Sequence, residues 1–291
     1  MNEEIYPLID VEMLEEHRVD PAWIIIDCRF DLTDPSKGLA LYKQGHIPGS
    51  RYASLDNDLA GCPGPMDGRH PLPDPKVFSQ TLARWGVSNT TNVVVYDAVG
   101  GAIAARLWWM LRWARHEHVY ILDGGIQAWE RKGFYLEKGQ AVVESTDFSI
   151  TSVRNEWVVE TELLSSALTE GAVLLDARSE DRFTGKSEPI DPVSGHIPGA
   201  INFPFTRALD SFGRLRKPKD LREELAVYVD EKTDLISMCG SGVTACHLAL
   251  TAKLAGLGDS LVYIGSWSEW ITNKDRKIAV GNEAQSRRSD R

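Results

Sequence analysis

Cysteine is scarce in this chain: four among 291 residues, at Cys28, Cys62, Cys239 and Cys246. Thiols at such unrelated spacings do not make a disulfide framework. In a reducing compartment they stay thiols, and any special one is special for its reactivity. Long apolar runs are missing as well, since none approaches the roughly 20 residues of a membrane span. The opening "MNEEIYPLID" is acidic where a signal peptide would be basic, and no long apolar run follows it. The net charge of −10 lacks the basic excess typical of nucleic-acid binders. These absences point to a cytoplasmic protein with neither membrane nor nucleic acid as a partner. What is present, 43% hydrophobic and 25% charged residues, suffices for two cores, and the length suggests about two domains.

The chain is written twice. "GHIPGS" (Gly45–Ser50) returns as "GHIPGA" (Gly195–Ala200). Each is preceded by an apolar run ending in Asp-x-Arg, "WIIIDCR" to Arg29 and "AVLLDAR" to Arg178. Downstream, "NVVVYD" matches "DLISMC", and "VYILDGGIQAW" matches "LVYIGSWSEW". Two copies over 1–140 and 157–280 follow, joined by a polar stretch without a clear period. The short continuous apolar runs read as strands buried on both faces. "AIAARLWWMLRWA" (Ala102–Ala114) and "VTACHLALTAKLAG" (Val243–Gly256) read as helices, the second closed by its glycine. The alternation predicts an α/β fold, each copy a mainly parallel sheet flanked by helices. Ligands then bind beyond the carboxyl ends of the strands. The tail "VGNEAQSRRSDR" is polar and reads as frayed.

"CGSGVTAC" (Cys239–Cys246) stands where a buried strand ends and a helix begins. Gly240 and Gly242 admit unusual backbone angles and remove bulk. The backbone N–H groups from Gly240 through Ser241, Gly242, Val243 and Thr244 can then converge on one point, an arrangement that stabilises an anion. It favours a thiolate at Cys239. Such a cysteine can attack, carry a group and pass it on. The competing reading is a small buried hydrophobe; Cys246 reads as packed or incidental, and Cys28, at a strand end, and Cys62, in a Gly/Pro-rich loop, read as without function. A phosphatase loop would end in an arginine six residues after the cysteine, where this chain has Ala245. The loop holds no basic residue at all, so a phosphate dianion fits it poorly.

Taken together, the tandem copies, "DAR…GHIPGA", "CGSGVTAC" and "YIGSWSEW" resemble the two-domain rhodanese-type sulfurtransferases over nearly the whole chain. The resemblance implies transfer of a sulfane sulfur through a cysteine persulfide on Cys239, in a cleft between the domains, with no metal or organic cofactor. It implies one active copy, because Asp97 fills the address of Cys239 in the first. The loop is similar to that of the 3-mercaptopyruvate enzymes, whereas thiosulfate enzymes place basic residues just after the cysteine. That suggests 3-mercaptopyruvate as donor, with thiosulfate as the alternative. The acceptor is a thiol or cyanide, a thioredoxin-like thiol included. A non-enzymatic binding module is the remaining rival.

The resemblance also assigns residues. Arg182 matches the arginine that grips the donor carboxylate; otherwise it pairs with Glu180 or Asp181. Ser241 hydrogen-bonds the ketone or a proton in transit, or is a turn residue. His70 matches a proton donor, with Asp56 or Asp58 as its partner, or is a packed loop histidine. Arg69 and Arg106 add positive potential. His46, His196, Asp27 and Asp176 recur in both copies, which favours structural duties. A second donor arginine commonly follows "EP", but "SEPIDP" carries Ile190 there. Losing one charge-assisted bond costs about 1.5–3 kcal/mol unless another arginine substitutes.

Overall fold

The computed structural model describes residues 5–141, 143–230 and 232–281; the tail read as frayed lies outside them from 282 on. Two compact units emerge. The first takes the chain up to Gly61, then Leu72–Asn155 and Leu209–Leu215. The second takes Cys62–Pro71, Glu156–Ala208 and the chain from Arg216 on. Each unit therefore borrows a short segment from the other's stretch of sequence.

In the first unit the strands are β1 (Leu8–Ile9), β2 (Trp23–Asp27), β3 (Arg51–Tyr52), β4 (Asn92–Tyr96) and β5 (Val119–Leu122). They pair in parallel in the order β1-β5-β4-β2-β3. The second unit has β6 (Val173–Asp176), β7 (Ile201–Asn202), β8 (Leu235–Met238) and β9 (Leu261–Val262), parallel in the order β7-β6-β8-β9. A parallel bridge from Val158 to Val262 repeats there the place of β1. The central runs are continuous apolar strands because both faces are covered, as in β4, where Val93, Val94 and Val95 have no exposed surface.

The helices of the first unit are α1 (Val11–His17), α2 (Lys37–Gln44), α3 (Leu55–Asp58), α4 (Pro75–Arg84), α5 (Ala104–Trp113) and α6 (Gly125–Arg131). Those of the second are α7 (Thr161–Thr169), α8 (Glu180–Thr184), α9 (Pro218–Leu225), α10 (Val243–Leu254) and α11 (Ser266–Trp270). Both α5 and α10 carry apolar residues on all sides and are buried along nearly their whole length.

The duplicated motif has one duplicated structure. In the first copy Arg29 grips Asp27 through Nε and Nη2 and donates to the Gly45 carbonyl at 2.7 Å. In the second copy Arg178 grips Asp176 the same way and donates to Gly195 at 2.9 Å. The histidine that follows is buried and stacked, His46 on Tyr42 and His196 on Phe183, each with Nδ1 at 2.8 Å from the carbonyl of its stacking residue. These groups lock the turn after each Asp-x-Arg strand, which is the structural duty their recurrence suggests.

Candidate functional site

The buried strand β8 delivers Cys239 to its carboxyl end, and α10 starts at Val243. Gly242, the residue before the helix, sits at φ +78°, and a side chain there would collide with the Ile264 carbonyl. That glycine lets the loop turn tightly between β8 and α10. Cys239 is 3% exposed, and the Ser241 N–H lies 3.4 Å from its sulfur. Val243 is buried and Thr244 half-buried in the first turn of α10.

A second loop holds the cysteine's backbone. The Cys239 N–H donates to Ser266 Oγ at 3.0 Å, and that hydroxyl donates to the Tyr263 carbonyl at 2.8 Å. The N–H groups of Trp267 and Ser268 donate to the carbonyls of Cys239 and Gly240. Ser266 adopts φ +53°, a left-handed conformation uncommon for a residue with a side chain. The sequence pattern marked "YIGSWSEW" as repeated but did not single out this serine.

The segment Cys62–Pro71 reaches the same place within the second unit. The Arg69 N–H donates to Ser268 Oγ at 3.0 Å. Next to it His70, 7% exposed, places Nδ1 at 2.8 Å from Ser241 Oγ. His70, Ser241 and Cys239 are thereby brought together as expected from sequence. Asp58 belongs to the first unit, where its carboxylate accepts the Ser54 N–H at 2.9 Å and faces Arg84 at 3.1 Å. Burial raises its carboxyl pKa, while those two partners act against the rise. Arg106 is fully buried in the first unit, with Nε and Nη2 toward the Leu59 carbonyl.

Arg182 pairs with Glu188 and Asp191 rather than with Glu180 or Asp181. Its Nε lies 2.9 and 3.0 Å from the two Glu188 oxygens, and its Nη2 lies 3.0 Å from Asp191 Oδ2. Asp191 Oδ1 accepts Nη1 of Arg69, and Glu188 also lies 3.6 Å from Arg178. Arg178, Glu188, Arg182, Asp191 and Arg69 thus form a run of alternating sign beside the cysteine loop. Ile190, between the two acids, is 39% exposed. Sequence reasoning missed both acids, although they flank the very position at which an arginine was sought. A cavity of about 560 Å³ near Ile197, Trp270 and Arg276 contains none of the candidate residues. Among the described residues, no helix is long and apolar enough to cross a membrane, and no three His, Cys, Asp or Glu are grouped to hold a metal ion.

Two parallel α/β units, the second with the Cys239 sulfur facing the Ser241 N–H, define a duplicated protein with one candidate site at that cysteine. Comparison with known proteins agrees. The rhodanese-like domain matches residues 10–132 and 160–273. A probable 3-mercaptopyruvate sulfurtransferase from Pseudomonas aeruginosa is 41% identical over 279 residues, 94% of this chain and 98% of that protein. A putative thiosulfate sulfurtransferase, SseB, from Mycobacterium tuberculosis is 38% identical, covering 88% of this chain and 90% of its own. The crystal structure of SseA from Escherichia coli, described among the 3-mercaptopyruvate sulfotransferases, superposes with a TM-score of 0.80 at 31% identity, over 91% of this chain and all of that one. The chain belongs to the rhodanese-like family, in its two-domain sulfurtransferase form.

Proposed function

We propose that this enzyme moves sulfur from 3-mercaptopyruvate to a thiol or cyanide acceptor through a persulfide on Cys239. The observation that carries the reading is the Cys239 sulfur facing the Ser241 N–H in a loop without basic side chains, with Arg182 close by. In the first half-reaction the Cys239 thiolate attacks the donor's sulfur. A sulfur–sulfur bond forms, the carbon–sulfur bond breaks, and its electron pair leaves as the enolate of pyruvate. Ser241 Oγ passes a proton to that carbon and His70 makes good the loss, which suits a histidine near neutral pH. Asp58, held by Ser54 and Arg84, is assigned to the support of α3 rather than to the proton step.

Arg182 orients the donor carboxylate. The amides of Gly240 to Thr244 steady the persulfide. In the second half-reaction an acceptor thiolate or cyanide attacks the outer sulfur and frees Cys239. A thioredoxin-like thiol satisfies this step as well as a small thiol does. No step calls for a metal or organic cofactor. The copy over 157–280, completed by Cys62–Pro71, carries the chemistry, and the copy over 1–140 is its inactive partner. All four cysteines are free thiols, which fits a reducing compartment, and we place the protein in the cytoplasm.

Thiosulfate is the second reading, favoured by the name of the mycobacterial relative. Measuring kcat/KM for the two donors side by side separates them, and a higher value with thiosulfate overturns our choice. Cys239→Ser should abolish transfer. Mass spectrometry should find one added sulfur on Cys239 of the donor-treated wild type and none on the variant.

A further inference from the structure

The cavity of about 560 Å³ in the second unit is lined by Ser165 and Leu168 of α7, Ile197 of the GHIPG turn, Trp270 of α11, and Arg276 and Lys277 after it. In the first copy the matching residues are tied to one another. Helices α1 and α7 correspond, with Val11 and Leu14 buried in one and Thr161 and Leu164 in the other, so Glu15 and Arg18 match Ser165 and Leu168. Glu15 holds Arg18 through Nε and Nη2, and the charge of Glu137 acts on it as well. Glu137 also accepts the Gly49 N–H of the first GHIPG turn at 2.7 Å. Trp129 matches Trp270, since each indole donates at 3.0 Å to a carbonyl further on, of Tyr135 and of Lys277. Phe134 packs on Trp129 with ring centres 4.8 Å apart. His46 bridges to Glu137 as His196 bridges to Ala279. In the second copy an ion pair, a carboxylate and a ring have thus become Ser165, Leu168, Ala279 and Arg276, and a cavity stands beside them.

Its chemistry is mixed in a definite way. Ile197 and Trp270 are 1% and 5% exposed and form an apolar floor with Leu168. Arg276 and Lys277 bring two positive charges against the one negative charge of Asp275. Arg276 is committed, because its Nη1 donates to the carbonyls of Glu269 and Trp270 at 3.0 and 3.3 Å. Lys277 is exposed, and its flexible stem lets the ammonium turn toward an incoming charge. We propose that this cavity is a second ligand site, which binds a small organic monoanion with a flat apolar body, the body on Ile197 and Leu168 and the charge at Lys277. The volume is that of a small-molecule site. The surplus of one positive charge suits a monoanion, and the apolar floor disfavours a bare inorganic ion, which would lose its hydration there. The site shares no residue with the one at Cys239.

The test titrates the full chain with 4-fluorophenylacetate and follows the ligand by fluorine NMR. Saturable broadening with a Kd of about 1 mM or tighter is expected. The first copy supplies the blocking variant: Ser165→Glu together with Leu168→Arg should refill the cavity and abolish that binding. Lys277→Gln should weaken it about fivefold, as loss of one exposed charge contact predicts. The neutral 2-(4-fluorophenyl)ethanol should bind the wild type weaker by a similar factor. Arg182→Ala should leave the Kd unchanged, which separates this site from the one at the thiol. Binding that survives the double substitution, or that disappears in Arg182→Ala, would overturn the proposal. So would the absence of saturable binding to the wild type. Should the double variant not fold, Lys277→Gln decides, and an unchanged Kd there overturns the proposal.

Discussion

The two copies carry the same loop at the same address, filled in opposite ways. In the first, Asp97 is fully buried and its carboxylate takes the N–H groups of Val99, Gly101, Ile103 and Ala104 at 2.8–2.9 Å. In the second, Cys239 offers those surroundings a sulfur, a weak acceptor. The first loop closes on an anion of its own, while the second stays available for an anion brought by chemistry. The loop that holds the backbone differs in step with this. Gly125 sits at φ +57° where a side chain would collide with the Asp97 carbonyl, and Ser266 keeps φ +53° at the matching place. Ile126 donates to the Asp97 carbonyl at 3.0 Å as Trp267 donates to that of Cys239 at 3.1 Å. Glycine serves where only a tight turn is needed. Serine accepts an uncommon backbone where its hydroxyl also holds the cysteine's N–H.

The comparison can be broken most sharply by moving the thiol. With Cys239→Ser in place, Asp97→Cys should gain no sulfur by mass spectrometry from mercaptopyruvate. The first copy has the nest but no Arg182 at the matching place. Sulfur uptake there would show that a nest and a thiol suffice. Next in size is Asp97→Ala, which strands four amides, three of them buried. Denaturant unfolding should show a loss of about 3 kcal/mol, since buried donors left without partners cost about 1–3 kcal/mol each and the loop can partly relax.

Ser266→Gly should separate stability from activity. Relief of a left-handed conformation gains about 1–2 kcal/mol, and loss of the buried hydrogen bonds costs about as much. The melting temperature should hardly move, while kcat/KM falls because the Cys239 backbone loses its tether. An unchanged kcat/KM would leave the hydroxyl without a role in positioning the cysteine.

The smallest effect concerns Glu269, which replaces Ala128 of the first copy. Burial raises its carboxyl pKa, and the Thr161 hydroxyl and Arg276 act against the rise. The folded state therefore holds the proton more tightly than the unfolded state. That contribution is complete below the unfolded value of about 4.3 and is lost as pH rises through the higher folded value. Glu269→Gln removes this dependence. Melting curves taken between about pH 4 and pH 7 should therefore move in the variant's favour as pH rises.

Much of this was legible beforehand. The apolar runs appear as strands, and the helix expected over Ala102–Ala114 forms over Ala104–Trp113, its first turn being drawn into the nest around Asp97. The duplicated Asp-x-Arg and GHIPG motifs identified residues that recur for structural reasons, because a group present in both copies cannot be what distinguishes them. The alternating charges were not legible. Arg69 and Asp191 lie 122 positions apart, and Arg69 and Ser268 lie 199 apart. Local pattern carries no signal over such separations. Arg182 was found, but its partners were sought among its helix neighbours Glu180 and Asp181. Instead, the chain after α8 folds back and supplies Glu188 and Asp191.

By itself, the sequence determined that the protein is two parallel α/β copies and that only the second carries a thiol at the address Asp97 fills in the first. Periodicity and repetition are local properties, and burial of the apolar runs enforces them. The tertiary structure alone decided which cations face that thiol's loop and which acids restrain them. A guanidinium on a long, flexible stem has no fixed place until packing brings its carboxylate partners within reach, and here Arg69 and its partner Asp191 lie 122 positions apart.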